Sequence, residues 1–256
     1  MNGIDRVFAD GRKVLVPYLT AGDPGLEASL DILNAIADGG ADIIELGVPF
    51  SDPGADGPVL QRAAERALAA GGGLESALEL AARFDRDIPL VLFGYLNPFL
   101  AFGYERLAKR ASEVGVAGLL CVDCPPEEEP ELWTALERHD VHAIRLIAPT
   151  TPVPRIEAIC ASARGFVYYV SRTGVTGAAL TERDAAEDRV RRVRELSPVP
   201  VVVGFGVRTP DDVAALGEAA DGAVVGSALM ALVEEHGAGA PAVVRDYVAR
   251  LKAPLR

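Results

Sequence analysis

The chain has 256 residues, 50% of them apolar and 24% charged, enough for one large core or two small ones. Its 37 acidic and 25 basic side chains are interspersed and sum to a net charge of -12, which favours solubility and speaks against a nucleic-acid or anionic-membrane partner. No apolar run approaches about 18 residues and residues 1–24 hold no signal-peptide core, so a cytoplasmic protein is expected; three cysteines, an odd count, fit a reducing compartment.

Runs rich in Val, Ile and Leu recur about every 25 to 35 residues, each followed by helical periodicity, which is the pattern of repeated βα units. The first strand is predicted over 14–20 and the next helix carries Leu26, Leu30, Leu33 and Ala37 at three- and four-residue spacing. Strands follow over 43–47, 90–95, 118–122, 143–147, 166–170, 199–204 and 223–226, with Leu74, Leu78 and Ala81 marking another one-sided helix. Two last helices are expected from Ser227 and near Pro241. Eight short apolar strands with helices that bury one face describe a single α/β domain over residues 1–256, a closed (β/α)8 TIM barrel of typical size, with an open doubly wound sheet as the alternative.

A barrel gathers its strand C-termini and the loops after them at one mouth. The segment 45–58 belongs there, and it places Glu45 among the apolar residues of a strand. Burial disfavours an ionised carboxylate, so the Glu45 pKa should rise toward the range where it can give and take a proton. Asp56, in a Pro/Gly loop, should instead stay ionised through water and backbone donors, and two acids in contrasting environments are the signature of an acid/base pair. The bland alternatives are a structural acid tied to an Arg or to backbone donors inside the barrel for Glu45, and a helix start before Pro58 for Asp56.

Tyr18 and Thr20, Tyr95 and Asn97, Asp123, and Tyr168 with the loop 171–178 share the same mouth, and Tyr18, Phe93 and Phe205 could line an apolar pocket for a flat ring. Three glycine motifs lie near the C-terminus: Gly174-Val-Thr-Gly177, Gly204-Phe-Gly206 and Gly226-Ser227. Glycine lets backbone N–H groups approach an anion, and Gly226-Ser227 stands where a strand gives way to a helix, so backbone amides rather than Lys or Arg are expected to hold a phosphate. Residues 173–177 read as a hinged lid. Cys121-Val-Asp-Cys124 with His139 and His142 mimics a zinc site, but the two pairs should lie at opposite ends of strands, roughly 15 Å apart at 3.3 Å per residue. No metal is expected. Cys160, Phe84 and Trp133 read as packing residues, and Glu127-Glu-Glu-Pro130 as a solvated helix start.

In Pro17-Tyr-Leu-Thr-Ala-Gly-Asp-Pro24, Glu45-Leu-Gly-Val-Pro-Phe-Ser-Asp-Pro53 with Ala55-Asp-Gly-Pro58, Tyr168-Tyr-Val-Ser-Arg-Thr-Gly-Val-Thr-Gly177, and Val203-Gly-Phe-Gly206 with Val225-Gly-Ser227, the chain resembles the α subunit of tryptophan synthase. The resemblance implies a (β/α)8 lyase that splits indole-3-glycerol phosphate into indole and glyceraldehyde 3-phosphate by a retro-aldol reaction. It implies Glu45 as the acid/base group, Asp56 as acceptor of the ring N–H, Gly177, Gly206, Gly226 and Ser227 at the phosphate, and Tyr18, Tyr95, Tyr168, Thr176 and Phe205 around the substrate, with Thr176 bringing the lid to Asp56. It also implies an αββα complex with a PLP-containing β subunit that receives indole. No cofactor is expected in this chain, whose only lysines are Lys13, Lys109 and Lys252.

Four departures from the family's habit stand out: a short stretch before the first strand, and Gly54, Gly94 and Cys124 where bulkier residues are common. Other readings are a stand-alone lyase that releases free indole, a catalytically weak subunit that activates its β partner, and another phosphate-binding barrel, a class that lacks the paired acids.

Overall fold

Alternate residues of a strand face opposite ways, and here both faces of most strands are apolar because both are covered. In the computed structural model, which describes residues 1–170, 180–204 and 206–255, eight parallel barrel strands result. They are β1 (Val14–Thr20), β2 (Ile44–Gly47), β3 (Leu90–Gly94), β4 (Val116–Cys121), β5 (His142–Ala143 and Arg145–Ile147), β6 (Val167–Val170), β7 (Val201–Gly204) and β8 (Gly222–Val225). Each pairs with the next in parallel register, and β8 returns to β1 with Val14 opposite Gly222 and Pro17 opposite Val225, so the barrel closes.

The fifth strand departs from the expected 143–147. Its two pieces serve different neighbours, His142–Ala143 pairing with β4 and Arg145–Ile147 with β6, while the Ile144 N–H donates to the Leu119 carbonyl at 2.9 Å. The seventh strand starts at Val201 rather than 199. Pro198 and Pro200 have no N–H to contribute, although the Pro200 carbonyl accepts from Val167 at 2.8 Å.

Period-two alternation divides the strands into an inner and an outer set. Val14, Val16, Ile43, Val91, Leu120, Ile144, Phe166, Tyr168, Val202 and Val224 fill the barrel as one buried cluster, and the residues between them pack against the helical layer. The helices of the described residues are α1 (Gly3–Phe8), α2 (Leu26–Asp38), α3 (Pro58–Ala69), α4 (Leu74–Arg83), α5 (Leu96–Phe102), α6 (Tyr104–Glu113), α7 (Pro130–Arg138), α8 (Val153–Ala161), α9 (Leu180–Leu196), α10 (Pro210–Ala219), α11 (Ser227–His236) and α12 (Pro241–Lys252). The short N-terminal helix (Gly3–Phe8) buries Ile4 and Val7 against that inner cluster, and Phe8 meets Phe166 at 6.1 Å between ring centres. This closes the strand N-terminal end.

At the same end Asp42 accepts from the Leu15 N–H at 2.7 Å and from Lys252 Nζ at 2.5 Å, joining the start of β2 to α12. At Gly94 an added methyl would lie 2.8 Å from the Phe99 ring, so the small residue there is matched to its neighbour. A methyl on Gly54 would meet nothing within 4 Å, and its φ lies outside the left-handed region. That loop does not need glycine.

Candidate active site

Glu45 follows Ile43 by two residues on the inner face of the barrel, and β1 sets Tyr18 directly opposite it. The position leaves Glu45 1% exposed, and its Oε1 has no hydrogen-bond partner among the described residues. Burial alone pushes its pKa to about 8, so the carboxyl carries its proton at neutral pH. Among the described residues no Arg pairs with it and its Oε1 has no donor.

Asp56 is half-buried. Burial raises its pKa to about 6, against the lowering effect of the Tyr95 hydroxyl, so the carboxyl is still mainly ionised at neutral pH. The Tyr95 oxygen accepts from the Ala55 N–H at 3.1 Å, which leaves the tyrosine's own proton for Asp56. The acid does not cap α3, because Gly57 is the N-cap residue and no side chain bonds there. The contrast between the two acids survives at higher values: near neutrality Glu45 is mainly the acid and Asp56 mainly the carboxylate.

Between them opens a cavity of about 220 Å³. Tyr18, Leu60, Phe93, Tyr168 and Val224 supply its apolar wall, with Phe93 standing edge-on to Tyr18 at 5.5 Å and tilted toward Tyr168 at 6.3 Å. The ring of Tyr18 fits because Gly47 has no side chain; a methyl there would sit 2.0 Å from the Tyr18 oxygen. Tyr168 uses Gly204 in the same way, with the same 2.0 Å approach. Burial raises the pKa of both hydroxyls, so neither is an anion.

At the other end the cavity meets Gly206, Val207, Arg208, Gly226, Ser227 and Ala228. Gly206 has φ +82°, a conformation that favours glycine. Helix α11 begins at Ser227, on the cavity lining, with no side-chain cap on its first turn; a helix N-terminus of this kind suits an anion. Arg208, an exposed residue, borders the same end of the cavity.

Glu45, Asp56, Tyr18, Tyr168, Gly206, Gly226 and Ser227 therefore share one cavity, with Tyr95 one contact behind Asp56. Thr176, Gly177, Phe205 and the lid over 173–177 lie outside the described residues. Leu60 and Val224 gave no signal beyond ordinary apolar periodicity, and Arg208 gave none beyond its place two residues after Gly206. Lys13 and Lys252 engage Ala220, Asp221 and Asp42 at the opposite end, and Lys109 lines an outer groove, so none lines this cavity. Cys121 and Cys124 are buried free thiols, Cys124 pushed up to about 11 by burial, while His139 meets Glu105 at 2.8 Å and His142 meets Asp5 at 3.0 Å. Among the described residues no group of three His, Cys, Asp or Glu could hold a metal.

Two acids whose pKa values burial raises to different levels, an aromatic wall and the N-terminus of α11 meet at the mouth of one (β/α)8 barrel. The sequence pattern of the family described as "Tryptophan synthase alpha chain" matches residues 4–253. The tryptophan synthase alpha chain of Chromobacterium violaceum is 48% identical over 261 residues, covering 100% of this chain and 98% of that one. That of Laribacter hongkongensis is also 48% identical, with 100% and 99% covered. Among solved structures, tryptophan synthase subunit alpha from Legionella pneumophila superposes with a TM-score of 0.90 at 37% identity, covering 100% of this chain and 98% of that one. A tryptophan synthase chain from M. tuberculosis does so at 0.89 and 35%, with both chains fully covered. The chain belongs to the tryptophan synthase alpha chain family.

Proposed function

We propose that this protein catalyses the α reaction of tryptophan biosynthesis, the retro-aldol cleavage of indole-3-glycerol phosphate to indole and glyceraldehyde 3-phosphate. The observation that carries the reading is Glu45, a buried carboxyl that holds its proton and has one oxygen with no partner among the described residues. Glu45 gives that proton to ring carbon 3 of the indole. The ring becomes cationic, and its N–H donates to the Asp56 carboxylate, which stabilises the developing charge. The Glu45 carboxylate then removes the proton of the side-chain hydroxyl on the carbon attached to the ring. The carbon–carbon bond breaks, its electrons restore the aromatic ring, and the hydroxyl carbon becomes the aldehyde. One proton is given and one returned, so Glu45 ends as it began.

The apolar wall of Tyr18, Phe93 and Tyr168 suits the indole, and the turn at Gly206 with the α11 N-terminus suits the phosphate. Gly177 at the phosphate and Thr176 and Phe205 near the ring are carried over from the family motif alone. Tyr95 serves by orienting Asp56. Family membership supports a β-subunit partner, and within this reading that partner carries PLP, assembles as αββα and receives the indole, in the cytoplasm.

The test is the cleavage assay on wild type, Glu45→Gln and Asp56→Asn, alone and with a β subunit. Loss of at least about a hundredfold in Glu45→Gln is expected, the usual size of a general acid–base contribution. Full activity in that variant would refute the mechanism, and partner-independent turnover would favour a stand-alone lyase.

A further inference from the structure

Outside the barrel, the groove between α7, the start of β5 and the turn after α8 holds a second unusual group. Arg145 lies on the outer face of β5, because its neighbours Ile144 and Leu146 belong to the inner cluster. It is 7% exposed, and its Nε has no hydrogen-bond partner. No carboxylate among the described residues comes within 4.0 Å of its guanidinium, whose contact instead is the face of Trp133, 4.2 Å from the ring centre. A buried cation without a counter-charge is costly, and stacking on an aromatic ring offsets only part of that cost.

Arg145 lines a cavity of about 360 Å³ together with Trp133, over whose ring its guanidinium lies, and with Glu137, Asp140, His142 and Arg164. Glu137 is engaged by Arg164 at 3.3 Å and His142 by Asp5 at 3.0 Å. Asp140 borders the groove from the turn after α7 without reaching Arg145. The planar fork of a guanidinium matches two oxygens of one anion.

We propose that this groove is a binding site for a small oxyanion, a carboxylate or a phosphate monoester, seated on the Arg145 guanidinium and separate from the barrel mouth. The site is independent of the α reaction, and so is its test. Trp133 is the single tryptophan of the chain, which makes its indole N–H resonance a local reporter. The full chain labelled with ¹⁵N is titrated at constant ionic strength with inorganic phosphate, with acetate, and with chloride as control. A saturable shift of the indole peak with phosphate or acetate is expected, half-complete on the order of 1 mM as befits one guanidinium fork, and absent with chloride. Which anion saturates tells the two sources apart. In Arg145→Met the saturable shift should vanish. If that variant does not fold, Arg145→Lys, which keeps the charge but not the fork, should weaken half-saturation several-fold. A drift identical in all three salts overturns the proposal, as does saturation that persists unchanged in the Arg145 variants.

Discussion

Arg62 of α3 grips Glu234 of α11 through two hydrogen bonds of 2.7 and 2.8 Å. One turn on, Arg66 adds a third at 2.9 Å and holds the buried Asp23 with its other nitrogens. Helix α3 starts two residues after Asp56, and α11 starts at Ser227. The clamp thus ties the start of α3, beside Asp56, to α11, whose N-terminus reaches the cavity. In Glu234→Gln we expect kcat/KM for cleavage to fall roughly threefold with the secondary structure intact, a modest loss because the pair is partly exposed. Steady-state kinetics beside circular dichroism checks this, and an unchanged kcat/KM would mean that the clamp does not position the site.

The two acids give the reaction a pH window. Asp56 must be ionised, with its pKa at about 6, and Glu45 must carry its proton, with its pKa at about 8. A bell-shaped kcat/KM profile with those two limbs is expected, and Asp56→Asn should lose the acid limb along with most activity. A profile still rising at pH 9 would exclude Glu45 as the proton donor.

The same burial makes Glu45 a burden on the fold. Below the ordinary value of 4.5 both folded and unfolded chains hold its proton; between there and about 8 only the folded chain does. Raising the pH through that window therefore favours unfolding. Relative to Glu45→Gln, the wild type should lose about 1.4 kcal/mol per pH unit across it and level off above. Urea titrations of both proteins from pH 5 to 9 measure the difference, and a constant difference would contradict the buried, proton-holding state.

Gly47→Ala tests the aromatic wall. Its methyl would fall 2.0 Å from the Tyr18 hydroxyl oxygen and 2.4 Å from Cζ, so the ring must move into the cavity. We expect a stability loss of about 1–3 kcal/mol, the range for overpacking, and a larger rise in KM than fall in kcat. A variant with wild-type KM would place the ring's contribution elsewhere.

Strand period and helical spacing made the barrel legible, because each strand is buried on both faces and each helix on one. Glu45 was legible for the same reason: a charged residue inside an apolar run stands out. The state of Asp56 was not, because it is set by burial in the folded mouth, which raises its pKa, and by Tyr95 on another loop, which opposes the rise. The break at Ile144 was equally hidden, since its two halves are distinguished only by the strands they meet. Arg145 read as one more residue of a β-strand, and only the outward turn of its side chain onto Trp133 sets it apart.

Asp42, just ahead of β2, and Glu45 within it lie three residues apart in different situations: the first accepts from Leu15 and Lys252, the second presents an oxygen without a partner among the described residues. Because strand faces alternate, sliding β2 by a single residue would turn Glu45 out among the helices. The bonds that pin Asp42 thereby decide which way the reactive acid points. Damage to that distant anchor would first surface as silent chemistry in a chain that still folds.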